Sequence, residues 1–196
     1  MHSFHLPSGD GSSIRRARVS GMRCRELQHI ILEVGARFAL REVFVIGSSA
    51  ILAVMPDPPE GALTATRDVD IIPPNDEDER IADQISFVIG EASPFDVEYG
   101  YHAQGVSLKT PSYAPQDWQA RTIDVSVGQI VAHCMEPHDL VMSKLGAGRE
   151  KDLEFAHAAA ALGLVEQSVL LKRLGLVPAT EEHSRLIAAR IAALFK

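Results

Sequence analysis

Val43-Phe44-Val45-Ile46-Gly47-Ser48-Ser49 is followed, a short helix and a loop later, by Thr66-Arg67-Asp68-Val69-Asp70-Ile71-Ile72. The first run is short, β-branched and aromatic and stops at a glycine, which predicts a buried strand delivering a tight turn at its carboxyl end. The small residues Gly47, Ser48 and Ser49 let backbone N–H groups approach an anion. Residues 50–55 read as one helix, ended by Pro56-Asp57-Pro58-Pro59, so the turn falls at a helix N-terminus, where unpaired N–H groups and the macrodipole favour phosphate. In Asp68-Val69-Asp70-Ile71-Ile72 side chains alternate across a strand. That puts the two carboxylates on one face, roughly 6.5–7 Å apart, and turns Val69 and Ile71 to the core. Carboxylates this close repel unless a cation lies between them, and oxygen ligands of this kind suit Mg2+ or Mn2+ with waters and substrate phosphates completing the shell. The order of parts is that of a site for a metal-bound triphosphate. Asp68 and Asp70 are its candidate metal ligands and catalytic carboxylates, and Gly47, Ser48 and Ser49 its phosphate cradle.

Upstream, Leu27, Ile30, Ile31, Val34 and Phe38 recur at helical spacing within residues 22–40 and predict an amphipathic helix leading into the first strand. Residues 1–21 lack periodicity and read as a mobile tail, made locally basic, with the start of the helix, by Arg15, Arg16, Arg18, Arg23 and Arg25. Downstream, Pro73-Pro74-Asn75 breaks the chain, Asp76, Glu77 and Asp78 enrich a helix N-terminus, and Ile81, Ile85, Val88 and Ile89 form the helix's expected buried stripe. Residues 95–101 and 122–127 read as further strands, the second setting Ile123, Val125 and Val127 against Thr122, Asp124 and Ser126.

Glu136-Pro137 reads as a helix start, with proline tolerated in the first turn, and that helix carries Lys144. Gly146 and Gly148 each cost a helix up to about 1 kcal/mol relative to alanine, so they signal a local break or the close approach of another backbone. If the helix continues, Lys144 and Lys151 share a face and Arg149 and Asp152 form an i,i+3 pair. Two aligned cations can meet a triphosphate, so Lys144 and Lys151 are candidate phosphate contacts, with Arg149 and Asp152 joining or bracing that site. His133 and the pair His138-Asp139 suggest metal ligands only superficially, since such a site needs further His and Asp partners, and Asp139 reads more simply as a first-turn acid. The remaining segments, 153–164, 168–174 and 181–195, read as helices whose alanine- and leucine-rich faces are core or dimer surface.

Together with Tyr101-His102-Ala103-Gln104-Gly105-Val106, Trp118 and Arg121, the run from Cys134 to Asp152, Cys-Met-Glu-Pro-His-Asp-Leu-Val-Met-Ser-Lys-Leu-Gly-Ala-Gly-Arg-Glu-Lys-Asp, resembles a family of bacterial nucleotidyltransferase-like proteins of unassigned function, the DUF6036 type. The chain is similar, more distantly, to the AbiEii-type toxins of abortive-infection systems, which share the Gly-Ser turn, the Asp-x-Asp and a later Lys-Asp segment. The resemblance implies an α/β (α+β) nucleotidyltransferase (polymerase-beta-like) fold, a mixed β-sheet flanked by helices with a helical C-terminal part. On that reading residues 22–130 form the core and 131–196 the helical part of the same domain. For the toxin relatives it implies transfer of a nucleotide to an acceptor. Catalytic members of the fold place a third carboxylate on a strand beside the Asp-x-Asp, as metal ligand or general base. Asp96, Glu98 and Asp124 are all candidates by position, and Gln104 lies where a neutral side chain can take that place.

With 196 residues, 46% of them apolar, the chain can bury one core but hardly two full domains. A net charge of −7 excludes a general nucleic-acid-coating protein, though not a local basic groove. Cys24 and Cys134 lie far apart without a Cys-x-x-Cys, which suits a reducing compartment. No apolar run approaches the length that spans a bilayer, and the polar start lacks a signal-peptide core, so a cytoplasmic protein with no membrane partner is expected. Two functions fit. One is metal-dependent transfer of a nucleotide from a nucleoside triphosphate to an acceptor, left open among tRNA or other RNA, a protein side chain and a small molecule. The other is a catalytically degenerate nucleotide-binding module acting through a protein partner, as in a toxin–antitoxin pair.

Overall fold

Asp70 stands directly opposite Ile46 in an antiparallel strand pair, and that pairing brings the two ends of the decisive stretch together. A computed structural model describes residues 21–196. The tail expected over residues 1–21, with Arg15, Arg16 and Arg18, lies outside the described residues apart from Gly21. Helix α1 (Cys24–Phe38) leads into β1 (Glu42–Ile46), a 3-10 helix (Ser48–Ala53) and β2 (Asp68–Ile72). Then come α2 (Arg80–Ile89), α3 (Pro94–Tyr99), β3 (His102–Gly105), a second 3-10 helix (Trp118–Arg121), β4 (Ile123–Val127) and β5 (Ile130–Cys134). Four helices close the chain: α4 (Pro137–Ala147), α5 (Glu150–Ala161), α6 (Gln167–Leu174) and α7 (Glu181–Leu194). The expected mixed α/β architecture is therefore present, a five-stranded sheet in the order β3-β2-β1-β5-β4. β1 runs antiparallel to β2 and parallel to β5, β3 is parallel to β2, and β4 is antiparallel to β5.

The register sorts the sheet into two unlike faces, because side chains alternate along each strand. One face carries Val43, Val45, Val69, Ile71, Ala103, Ala132 and Cys134, all fully buried, under α1 and α2. The opposite face carries Ile46, Asp68, Asp70, His102 and Gln104, and next to them Phe44, whose ring meets Trp118 edge-on at 5.6 Å. On the helix side contact is close enough to demand small residues. An added Cβ on Gly105 would collide with the backbone of Ala82 in α2, and Ser86 Oγ accepts from the Gly105 N–H at 3.0 Å and donates to its carbonyl at 3.2 Å.

Several segments depart from the sequence-based expectation. Residues 95–101 do not form a strand. Ser93 caps α3 by accepting from the Asp96 N–H, Pro94 occupies the first turn, and Gly100 closes it at φ 79°. These are helix start and stop signals, and the apparent alternation of Phe95, Val97 and Tyr99 is not a strand face, since Val97 is 81% exposed. Strand β5 occupies residues that the sequence reading assigned to the helical part. Its signal is the two-residue Gly128-Gln129 hairpin between apolar runs, with Gly128 at φ 62°. The helix expected over residues 50–55 begins earlier and is a six-residue 3-10 helix, a geometry used in short pieces. In α2 the buried stripe is Ala82, Ile85 and Ile89, while Val88 is exposed. No helix among the described residues is long and apolar enough to cross a membrane.

The C-terminal helices are tied to the sheet through the start of α4. Glu136 accepts from the N–H groups of His138 and Asp139 and pairs with Arg173 of α6. The fully buried Asp139 pairs with Arg121 at 2.8 Å and with Arg173 at 2.8 Å. His138 is spent on Glu136 and on the Glu166 N–H, so the His138-Asp139 pair braces helices and holds no metal geometry.

The Gly105 contact yields a test. Gly105→Ala is expected to lower stability by about 1–3 kcal/mol, as overpacking of a filled site does, read as a lower denaturation midpoint at an unchanged m-value.

Candidate functional site

Gly47 adopts φ 70° at the end of β1, a left-handed conformation natural to glycine. It also packs directly on Asp70, so that a Cβ there would strike the Asp70 Oδ2 atom. Turn and carboxylate are thus one packed unit. Asp68 and Asp70 project from the same face of β2, with Val69 and Ile71 fully buried behind them. Thr66 Oγ1 donates to Asp68 and holds it from the preceding loop.

Lys144 arrives from α4. Its Nζ donates to Ser48 Oγ at 2.9 Å and to Asp152 Oδ1 at 3.3 Å, and lies 4.4 Å from the centre of the Phe155 ring. Asp152 is fully buried and also accepts from Arg149 Nε at 2.6 Å, the expected i,i+3 pair. Gly148 at φ 66° ends α4, and α5 starts at Glu150. The continuous helix that would align Lys144 with Lys151 therefore does not exist. The two lysines converge instead across a turn, and both line the same cleft.

That cleft, about 610 Å3, is bounded by Gly47, Ser48, Asp68, Asp70, Lys144 and Lys151, with Arg149, Asp152 and Gln104 also in its wall. Its size falls within the range of small-molecule sites. Of the residues singled out in the sequence, Ser49 is not there: it is 2% exposed, and its hydroxyl lies buried without a partner among the described residues. The anion-binding helix N-terminus expected at the turn is also reduced, since the 3-10 helix is too short to carry much of a macrodipole.

The electrostatics pull in two directions. Burial and then the neighbouring Asp68 carboxylate push Asp70 up from 3.8 to about 6, against the opposing fields of Lys144, Lys151 and Arg149. Burial lowers the Lys144 ammonium, partly offset by Asp152. Asp152, although burial would raise it, is held below the usual carboxylate range by Arg149 and Lys144. Two carboxylates on one strand face, with the ionisation of Asp70 resisted, opposite a wall of cations make a donor set that a divalent cation with bound phosphates fits.

The register puts no third carboxylate on the strand beside the two aspartates. Gln104, not an acid, lies across from Asp70 on β3, and His102 lies across from Asp68. Glu98 is exposed on α3, and Asp124 sits on the far edge strand paired with His133 at 2.7 Å. Asp96 lines a second, smaller cleft together with Asp68 and His102. Among the described residues no group of three or more His, Cys, Asp or Glu side chains has the geometry to hold a metal ion.

Asp70 makes a pH-dependent prediction. Its folded pKa lies above its ordinary value, so its ionisation subtracts from stability as pH rises from about 4 to about 6. Asp70→Asn is therefore expected to be more stable than the parent at pH 7.5, by at most about 3 kcal/mol, with the difference vanishing near pH 4 in parallel denaturation curves.

No curated protein and no solved structure matches the chain. The family model described as a nucleotidyltransferase of unknown function (DUF6036) matches residues 25–184. This span holds the sheet, both Asp residues and the Lys144–Asp152 region, and the chain belongs to that family of nucleotidyltransferases of unknown function.

Proposed function

We propose that the larger cleft binds a nucleoside triphosphate together with Mg2+ or Mn2+ and transfers its nucleotidyl group to an acceptor hydroxyl, with pyrophosphate leaving. The observation that carries this reading is the packing of Asp70 on the Gly47 turn, opposite a lysine bonded to Ser48. Anion cradle, cation ligands and fixed positive charge meet there in one cleft. Asp68 and Asp70 would hold the metal, which when bound supplies neutralisation of the phosphate oxygens and a template for in-line displacement. The Gly47-Ser48 turn would receive the terminal phosphates. Lys144, immobilised by Ser48, Asp152 and the Phe155 ring, supplies charge without needing to reorganise, which is what makes electrostatic stabilisation effective. Lys151 and Arg149, both exposed at the cleft wall, would screen the charge that builds on the departing pyrophosphate.

The amide of Gln104 beside Asp70 favours the competing reading, a fold that binds nucleotide and acts through a protein partner. Thermal stability against ATP, CTP, GTP and UTP, each with and without Mg2+ or Mn2+, tests occupancy of the site. One metal-dependent nucleotide is expected to stabilise the protein by about 2.7 kcal/mol at a hundredfold excess over its Kd. Asp68→Asn with Asp70→Asn is expected to stay folded and lose that shift, and a shift that survives the double substitution overturns the assignment.

A further inference from the structure

The smaller cleft, about 340 Å3, shares Ser48, Thr66, Asp68, Lys144 and Lys151 with the larger one. The two clefts therefore meet at the carboxylate and lysine pair, where a donor in one would face a second molecule in the other. Only the smaller cleft is lined by His102 and Asp96. His102 is the register partner of Asp68 in a parallel strand pair, so both side chains leave the same face of adjacent strands about 4.8 Å apart.

His102 is held in one orientation. Its Nδ1 lies 3.1 Å from Asp96 Oδ1, and Asp96 in turn accepts from Arg67 Nη2 at 3.2 Å and from the Ala92 N–H at 3.1 Å. A carboxylate that receives these donors can only accept from the imidazole. In the neutral imidazole Nδ1 therefore carries the proton and Nε2 the lone pair. A base oriented by a carboxylate that is itself anchored is the arrangement used to accept a proton from a nucleophile.

Resting on the nucleotidyl-transfer reading, we propose that the smaller cleft receives the acceptor and that His102, positioned by Asp96, is the general base that takes the proton from its hydroxyl. The acceptor oxygen forms a bond to the α-phosphorus, the bond from that phosphorus to the bridging oxygen of the pyrophosphate breaks, and the hydroxyl proton passes to Nε2 and from there to solvent. Asp96 balances the imidazolium that forms. An imidazole thus takes the part that Gln104 cannot, and the absence of a third acid beside Asp70 no longer argues against chemistry.

The test incubates the full chain with each α-32P-labelled nucleoside triphosphate and Mg2+, offering total tRNA, a soluble bacterial protein extract and water as acceptors, and follows label transfer and pyrophosphate release. His102→Ala is expected to lose at least about 100-fold in rate while keeping the parent's metal-dependent nucleotide thermal shift, and to be partly restored by added imidazole. Asp96→Asn, which frees the ring to turn, should lose less. His102→Gln, which retains a polar side chain without basicity, should fail like the alanine variant and replaces it if that one does not fold. Parent-like transfer by His102→Ala, or a loss that imidazole does not restore, overturns the proposal, as does sensitivity to Glu91→Gln, a further acid of this cleft, in its place. A nucleotide shift without transfer to any of the three acceptors also overturns it and leaves binding alone. Absence of both shift and transfer sinks the nucleotidyl-transfer reading itself.

Discussion

A lysine ammonium kept largely out of water organises this molecule. Lys144 is bonded to a serine just after β1 and to a carboxylate in α5, and is covered by an aromatic ring from the same helix. A buried charge left without its partner is strongly destabilising, so the sheet, α4 and α5 must close on one another for it to be accommodated. Asp152 answers that demand and Arg149 shields it in turn. The chain thereby sets positive charge against the Gly47 turn with no freedom to swing away, and gives up some stability to do so.

The sheet works as a partition. Its inner face is apolar and close-packed, down to the backbone contact of Gly105 with Ala82, while its outer face carries Asp68, Asp70, His102 and Gln104 on β2 and β3. Alternation along two strands is enough to separate them. The same alternation fixes which side chains are neighbours, and it sets an imidazole and an amide beside the two aspartates.

That logic explains what could be read from the residues alone. β1, β2 and α1 announce themselves because their periodicity is strong and their ends are punctuated by Gly47, Pro73 and the run of apolar helical positions. The Asp-x-Asp face and the Arg149–Asp152 pair follow from local geometry. α3 imitates a strand because Phe95, Val97 and Tyr99 alternate by chance, though Ser93, Pro94 and Gly100 spell a capped helix. β5 is hard to see because its five residues follow a hairpin turn of only two. Ser49 looks like its neighbours in sequence, yet a 3-10 turn sends its hydroxyl inward. The His102–Asp96 pair could not be found from the residues alone, since five residues of helix and turn separate partners that sequence gives no reason to join.

The junction of α4 and α5 carries a consequence for how this protein can vary. Gly146 lies against the Tyr113 side chain, and Gly148 turns left-handed against the Arg190 guanidinium, which donates to the Leu145 carbonyl. The seven-residue interval from Lys144 to Lys151 is therefore a helix end, a tight bend and a helix start, each filled to contact. A single inserted residue would shift the phase of everything beyond it by about 100°, turning Lys151 and Asp152 away together. Side chains can be exchanged here more easily than the chain can be lengthened, so the spacing of the charges behaves as a fixed ruler.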